Sequence, residues 1–553
     1  MLLRALAFVT LLRRSVPAVH RSQRMVLRAS SQLSASPTGS TLVQEAVAWC
    51  GLNSLMYTDG KLSWSHAPVT LSPYAYPREG FEYAQRIQPL INTLIDNIAR
   101  DREFLVSVLE SVAASDPFVQ RLLDLYREVP EAVVRSGIAL GIHRSDYMLN
   151  NAAPSSSSSS SSSSTQVPLQ IEINTIASSF GCLSSKVGDL HRHLLSRHFG
   201  SPDLEAVLRA TELPEMPEGG PGCAEGLMPY NPTIRMLATS LALSHFLSGD
   251  RSSVIVFVVQ PNERNQADQR LLEAELWSTH GLKVEFLTLE QVDARCSLGA
   301  GGSLLLAPAT ATLASILPSS SSSSPSAEAP SPVSVVYFRA GYSPDDYPGE
   351  QQWRARGLIE RSAAVKCPNV GYQLAGTKKV QQVLCESGVL EKFLPNVDDA
   401  ALVRRCFAAQ YPLGEGASPA AQQAAAAAEK DGSQWVVKPQ REGGGNNYYG
   451  AELSAFLREN QGSPVLSSYV LMQRIFPKAQ KAAFLRSGQV QVLDSISELG
   501  VYGTFLGDGG AEPVLNECAG YLLRTKPVGV DEGGVATGFS VLNSVVLLDE
   551  EDV

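Results

Sequence analysis

The chain has no run of about 18 uninterrupted apolar residues, so no segment reads as a membrane span. Cysteine is present but unorganised. Cys50, Cys182, Cys223, Cys296, Cys367, Cys385, Cys406 and Cys518 form no CxxC pair and no zinc-type spacing. Thiols scattered in this way along a long chain read as reduced packing residues, which argues against a disulfide framework or a zinc site. Positive charge is also short: 45 Lys and Arg stand against 55 Asp and Glu, a net charge of −10. That balance provides no global field for nucleic acid or anionic lipid, so an anionic ligand must be met by a local cluster of cations. No internal repeat is found.

At 553 residues the chain is too long for one hydrophobic core, and two or three lobes are expected. Residues 1–43 carry Arg4, Arg13, Arg14, Arg21, Arg24 and Arg28 with no acid before Glu45. This is the composition of an organelle transit peptide, mitochondrial or plastid; Arg13 and Arg14 break the apolar run a secretory signal needs. The serine run 155–164 and the Ser/Pro-rich stretch 318–332 cannot bury a core and read as solvated loops. The Ala-rich segment 414–430 reads as a surface helix or a further loop.

Between these, amphipathic periodicity predicts helices over 82–113 and 118–135, and a strand over Leu169–Ile173. The apolar run Ser253–Gln260 has the character of a strand buried on both faces. A helix over 267–279, strands Lys283–Phe286 and Val333–Arg339, and a helix over 350–364 follow, which gives a small α/β unit with a mainly parallel sheet. Later strands are expected at Trp435–Pro439, Tyr469–Ile475, Val490–Leu499 and Tyr502–Phe505, with connections short enough for an antiparallel or mixed sheet.

The segment Trp435–Tyr449, WVVKPQREGGGNNYY, concentrates the chemistry. A strand delivers Lys438, and Arg441 and Glu442 precede three consecutive glycines. Glycines let backbone N–H groups approach a polyphosphate and let a loop close as a lid. A strand lysine supplies a point charge for phosphate, and a neighbouring carboxylate suits Mg²⁺, which takes oxygen ligands shared with phosphates. Neither the Walker A pattern nor the Rossmann GxGxxG fits. In QIEIN, Gln170, Glu172 and Asn174 share one strand face, so two oxygen donors stand at i, i+2. Glu498 lies in the apolar strand ISEL, where a carboxylate needs a partner. Arg524 and Lys526 follow at i, i+2, and GGVATG is a second glycine-rich segment.

Together these segments closely resemble the eukaryotic glutathione synthetase family. The matching stretches include HRSDYM (143–148), QIEINTIASSFG (170–181), ERNQADQR (263–270), VVYFRAGY (335–342), ERSAAVKCP (360–368), QLAGTKKVQQ (373–382), VVKPQREGGGNNYYG (436–450) and LLRTK, in the family's order over about residues 45–540. The resemblance implies an α/β (α+β) fold: a circularly permuted ATP-grasp with an inserted parallel α/β substrate-binding domain and glycine-rich lid loops. The expected division is a leader over 1–43, an N-terminal part over 44–230, the α/β domain over 231–366 and a C-terminal lid-bearing part over 367–553. A homodimer is implied, with no nucleic-acid or membrane partner, in an organelle if the leader acts and in the cytosol otherwise.

The implied reaction joins γ-glutamylcysteine to glycine through an acyl phosphate, with ATP giving ADP and phosphate. By resemblance, Glu172, Asn174 and Glu442 hold Mg²⁺, and Arg144, Lys438 and Arg524 stand at the reacting groups. The ATP side takes Glu172, Lys378, Lys438, Gly443, Gly444, Gly445, Asn446, Asn447 and Tyr449, then the hinge Met472, Gln473, Arg474 and Ile475, and Glu498, Lys526 and Glu532. The dipeptide side takes Arg144, Ile176, Ala177, Ser178, Ser179, Glu263, Asn265, Gln269, Arg339, Tyr342, Arg524, Val535 and Ala536. Gln473, Ala340 and Glu532 depart from the family's usual residues without touching the implied metal set. The alternatives are a sister ligase accepting β-alanine or serine, and an inactive ATP- or dipeptide-binding homologue. The small residues Val535, Ala536 and Thr537 favour glycine.

Overall fold

The computed structural model describes residues 40–60, 63–151, 168–213, 227–309, 329–414, 416–440 and 446–549. The serine run 155–164, most of the stretch 318–332, the leader up to residue 39, and Glu442 with Gly443, Gly444 and Gly445 lie outside them. The first helix of the described residues, Thr41–Leu52, starts inside the segment assigned to the leader, with Leu42 and Val43 buried.

The architecture is mixed α/β. A seven-stranded sheet runs in the order Gln480–Arg486, Val69–Thr70, Val541–Asn543, Leu515–Pro527, Gln489–Gly507, Ala139–Leu149, Pro168–Asn174. Gln480–Arg486 also pairs with Gln489–Gly507, so the first five strands close into a ring and Pro168–Asn174 remains at an edge. The long strands are buried on both faces, and alternate side chains feed two cores. Leu499, Val501, Tyr521 and Leu523 pack with Phe81, Ile87, Ile91 and Leu94 of the helix Arg78–Arg100. Tyr502, Leu506 and Leu522 pack with Leu183, Val187 and Leu190 of the helix Gly181–Arg197.

The second sheet places Val254–Val258 between Val284–Leu287 and Ser331–Phe338, all parallel, and Val365–Cys367 adds to Ser331–Phe338 in parallel. An antiparallel hairpin, Cys296–Leu298 with Leu304–Leu306, extends it; strands of three residues are too short for periodicity to reveal. The third sheet is antiparallel, in the order Gln410–Pro412, Tyr469–Gln473, Trp435–Pro439, Tyr448–Tyr449. The Ala-rich segment forms the helix Pro419–Lys430, started by Pro419 and by Ser418, whose hydroxyl accepts from the Ala421 N–H. Its buried Ala421, Ala424 and Ala428 lie on one face of that helix.

Three expectations need correction. The helix expected over 82–113 is two helices, Arg78–Arg100 and Arg102–Ala113. Asp101 leaves the helical region and its carboxylate accepts from the Phe104 N–H as an N-cap. The helix expected over 118–135 breaks at Pro130, whose ring cannot continue the preceding turn, into Pro117–Glu128 and Glu131–Ser136. The strands expected over Val490–Leu499 and Tyr502–Phe505 are one strand, Gln489–Gly507. Gly500 does not interrupt it; a Cβ there would stand 2.7 Å from Asp146 Oδ1 and 2.8 Å from Arg144 Cδ on the neighbouring strand.

His143, fully buried against Tyr372, has no hydrogen-bond partner at either ring nitrogen among the described residues. Burial lowers its pKa from 6.5 to about 3. The unfolded chain therefore binds a proton below 6.5 that the folded chain refuses, so the stability linked to the neutral ring is complete above 6.5 and lost as pH falls toward 3. His143→Leu is expected to remove about 1.4 kcal/mol per pH unit from the acid loss between pH 6 and 5. Urea titrations at the two pH values measure it; a slope unchanged by the substitution would contradict the assignment.

Candidate functional site

The edge strand Pro168–Asn174 presents Glu172 and Asn174, and the next strand presents Arg144 and Asp146 in register: Arg144 opposite Asn174, Asp146 opposite Glu172. One strand further, Gly500 stands opposite Asp146, and Glu498 pairs across with Arg524. The exposed edge of Pro168–Asn174 is covered from other elements. Lys438, at the end of the third sheet's central strand, donates from Nζ to the Ile171 carbonyl at 2.9 Å. Gln381, on the helix Lys378–Leu384, accepts from the Ile173 N–H at 3.0 Å. Lys378, first residue of that helix, places Nζ 3.6 Å from Glu172 Oε2.

Four cations thus face one carboxylate. Burial alone would push the Glu172 carboxyl up; Lys378, Lys438, Arg524 and Arg144 outweigh it and hold it down to about 2. Glu498 behaves alike: burial raises it, while Lys526 at 3.1 Å and Arg524 at 2.9 Å bring it below the usual carboxylate range. Asp146 binds Arg144 through both oxygens and also accepts from Arg524 and Asn174. The Asn174 amide uses Nδ2 for its bonds to Asp146 and Glu172, so Oδ1 is the end that suits a cation.

Arg144, Glu172, Asn174, Lys378, Lys438, Glu498 and Arg524 line a cleft of about 280 Å³. Its second wall is the loop Ile176, Ala177, Ser178 and Ser179. Ala177 takes φ +52°, and the Ser179 carbonyl accepts from Arg144 and from the Tyr502 hydroxyl. Asp268 fixes this loop by accepting from the N–H groups of Phe180, Cys182 and Leu183 while pairing with Arg339 at 3.0 Å. Glu263 accepts from the Asn265 N–H and from Gln269, which is buried behind the wall. Tyr342 is held by Gln260, which donates to its hydroxyl. Arg339 Nε and both side-chain polar atoms of Asn265 are buried without a partner among the described residues. Buried polar atoms without partners at a cleft wall point to a polar ligand.

The third wall holds Asn446, Asn447 and Tyr449, with Asn447 donating to the Tyr449 hydroxyl, and the loop Glu532–Thr537. A Cβ on Gly533 would lie 2.8 Å from both Glu498 oxygens, so this loop approaches the carboxylate only as glycine. Arg264 donates to the Ala536 carbonyl, and Val535 is buried in the core beneath. The residues expected as an adenine hinge do not line this cleft: Met472 is buried with Ala408 and Val436, Ile475 packs beside them, and Gln473 is exposed. Arg474 covers the Tyr449 ring and pairs with Asp531 at 2.8 Å. Lys526 is also outside the lining, bonded to Glu498 and the Asp531 carbonyl. Sequence reasoning missed Asp146, Asp268, Asp531 and Gln260. For Asp146 a signal existed, since it shares a strand face with Arg144 at i, i+2.

A carboxylate and an amide oxygen ringed by lysines and arginines, in one cleft with unpartnered buried polar atoms on its wall, have the character of an enzyme site for an anionic ligand. The profile "Eukaryotic glutathione synthase, ATP binding domain" matches residues 37–547. The chain is similar to "Glutathione synthetase, chloroplastic" of Solanum lycopersicum, at 38% identity over 92% of this chain and 84% of that one. It is 37% identical to the protein of the same name from Arabidopsis thaliana, covering 92% and 85%, and 33% identical to "Glutathione synthetase" of Dictyostelium discoideum, covering 92% and 98%. Its fold matches a glutathione synthetase-like effector from Globodera pallida, solved in the apo form, with a TM-score of 0.65 over 92% of this chain and 96% of that one, at 20% identity. The chain belongs to the eukaryotic glutathione synthase family.

Proposed function

We propose that this cleft joins γ-glutamylcysteine to glycine, with ATP giving ADP and phosphate, as the names of its relatives suggest for an ATP-dependent ligase. The observation that carries the reading is the meeting, in one cleft, of Glu172 and Asn174 with Lys378, Lys438, Arg144 and Arg524. In this reading the fold is a circularly permuted ATP-grasp, the parallel-sheet region over 231–366 is the inserted domain, and the enzyme is a homodimer. The leader directs it to a plastid, in keeping with the two plant relatives named chloroplastic.

The donor set fits Mg²⁺. Among the described residues no three carboxylate, imidazole or thiolate groups form a protein cage; Mg²⁺ instead takes one or two hard oxygen ligands and completes its shell with water and phosphate. Glu172 and Asn174 supply such oxygens, and Glu442 is proposed as a third ligand. When bound, the ion offsets the charge repulsion between the triphosphate and the attacking carboxylate.

Lys378 and Lys438 hold the phosphates. Tyr449, Asn446 and Asn447, with Gly443, Gly444 and Gly445, cover the nucleotide, whose base meets Met472–Ile475 and whose ribose meets Glu498. Arg144, Ser178, Ser179, Glu263, Asn265, Arg339, Tyr342 and Arg524 orient the dipeptide, and Gln269 supports Glu263. The dipeptide carboxylate attacks the γ-phosphorus, ADP leaves, and the amine of glycine displaces phosphate from the acyl phosphate. Positioning and fixed positive charge supply most of the acceleration. The loop Gly533–Thr537 shields the acyl phosphate from water and leaves room beside Val535 and Ala536 for glycine alone.

The test is ADP release by the purified chain with γ-glutamylcysteine and, in turn, glycine, β-alanine and serine. Turnover with glycine is expected to exceed that with β-alanine by about 10-fold or more, the scale of one methylene in a closed pocket. Preference for β-alanine or serine would reject the acceptor, and no dipeptide-dependent ADP release would favour a non-catalytic homologue.

A further inference from the structure

We propose that Asp146 is a positioning residue that joins the dipeptide side of the cleft to its metal side, by holding Arg144, Arg524 and Asn174 as one hydrogen-bonded unit. The inference rests on the functional reading above. Asp146 is 1% exposed and does not line the cleft, whereas its three partners do. Oδ1 accepts from Arg144 Nε at 2.7 Å. Oδ2 accepts from Arg144 Nη2 at 2.9 Å, Arg524 Nη2 at 3.0 Å and Asn174 Nδ2 at 3.0 Å. With its oxygens so engaged, the carboxylate orients others and does not itself meet a substrate.

Three features make this more than a structural ion pair. The partners come from three strands, so the carboxylate fixes side chains whose backbones have separate constraints. The bidentate bond sets the plane of the Arg144 guanidinium, and the third Arg144 nitrogen donates to Ser179 in the substrate loop. The bond to Asn174 consumes the amide N–H and thereby turns Oδ1 toward the cation position. The adjacent strand is adapted to the arrangement, because Gly500 stands opposite Asp146 and any side chain there would collide with the pair. Moving or neutralising Asp146 thus disturbs a dipeptide contact and a metal ligand together.

Asn at 146 keeps the volume but turns one oxygen into an N–H donor that faces guanidinium or amide donors. In the full chain, D146N is expected to raise the calorimetric Kd for γ-glutamylcysteine, measured without nucleotide. It is also expected to raise the Kd for Mn²⁺, read from the free-ion paramagnetic resonance signal in the presence of the β,γ-methylene analogue of ATP. Each change is expected to be about 10- to 100-fold, the range seen when a ligand's supporting partner is removed.

D268N is the control. Asp268 is an equally buried carboxylate that pairs with Arg339 and accepts from the N–H groups of Phe180, Cys182 and Leu183 in the substrate loop, at a site apart from Asn174. It is expected to weaken dipeptide binding and leave Mn²⁺ binding unchanged. Loss of both ligands in D146N with loss of dipeptide alone in D268N supports the proposal. Wild-type affinities in D146N, loss of only one ligand there, or equal loss of Mn²⁺ binding in D268N overturns it. A wild-type chain that binds neither ligand removes the functional reading and this inference with it. Should D146N fail to fold, D146E, which keeps the charge but shifts it by one methylene, is read against the same outcomes.

Discussion

Glu172→Gln is expected to lower ADP release by about 10³-fold or more, the scale of losing a charged group that organises a metal and phosphate site, with the fold intact. Lys378, Lys438, Arg524 and Arg144 all act on this carboxylate, and together they hold it ionised down to about pH 2. Gln keeps the shape and loses the charge. In this reading the variant cannot draw the cation into place, and the ion pair of Lys378 with residue 172, at 3.6 Å, is lost. The acid side of the wild-type rate profile does not report Glu172, because the group is already ionised there. The stability that its charge contributes is complete above 4.5 and lost as pH falls from 4.5 toward 2. E172Q should therefore unfold with a shallower acid dependence in that window. ADP release at neutral pH and urea titrations at pH 4 and 3 measure the two effects. Retention of a tenth or more of the wild-type rate would end the metal role proposed for this residue.

Arg524→Met is expected to cost about 3 kcal/mol of unfolding free energy, the lower part of the range for removing one partner of a buried charge cluster, and to abolish dipeptide-dependent turnover. One guanidinium nitrogen of Arg524 donates to both Asp146 and Glu498, at 3.0 and 2.9 Å. Deleting it leaves two buried carboxylates facing each other. The cost stays at the lower end because Arg144 still holds Asp146 and Lys526 still holds Glu498. Arg524→Lys should recover part of the stability, since an ammonium restores charge but not the planar fork. Urea unfolding of the three proteins side by side measures this. A Met variant within 1 kcal/mol of wild type would show that the cluster does not depend on this bridge.

Several parts of the site were legible before the fold. Alternation in QIEIN placed Gln170, Glu172 and Asn174 on one face; Glu172 and Asn174 do share it, but a bulge at Ile171 sets Gln170 opposite Tyr147 and so on the other face. Lys438 was expected at the end of a strand, and it lies there; the glycines expected beside it are outside the described residues. The continuous apolar run at 253–260 was read as a doubly buried strand, and Val254–Val258 is buried throughout. Less legible were features whose cause is non-local. Asp101 and Pro130 stop helices whose apolar period continues past them. Gly500 looks like a strand break in the sequence and proves to be clearance for Asp146 and Arg144. Asp268 could not be distinguished from any other helix-face acid, because its partners lie 71 to 88 positions away in the chain.

The sequence by itself determined the family, the residue types that carry the chemistry and the pairs that share a strand face, because side-chain alternation and glycine's freedom are local properties of the backbone. Only the tertiary structure decided that Arg144, Asp146, Glu172, Asn174, Glu498 and Arg524 form one charged unit, with Lys378 and Lys438 brought against it from outside the sheet. Which strand lies beside which, and in what register, follows from long-range pairing such as Asp146 opposite Gly500. A two-residue period specifies a face but carries no information about the neighbour that face will meet.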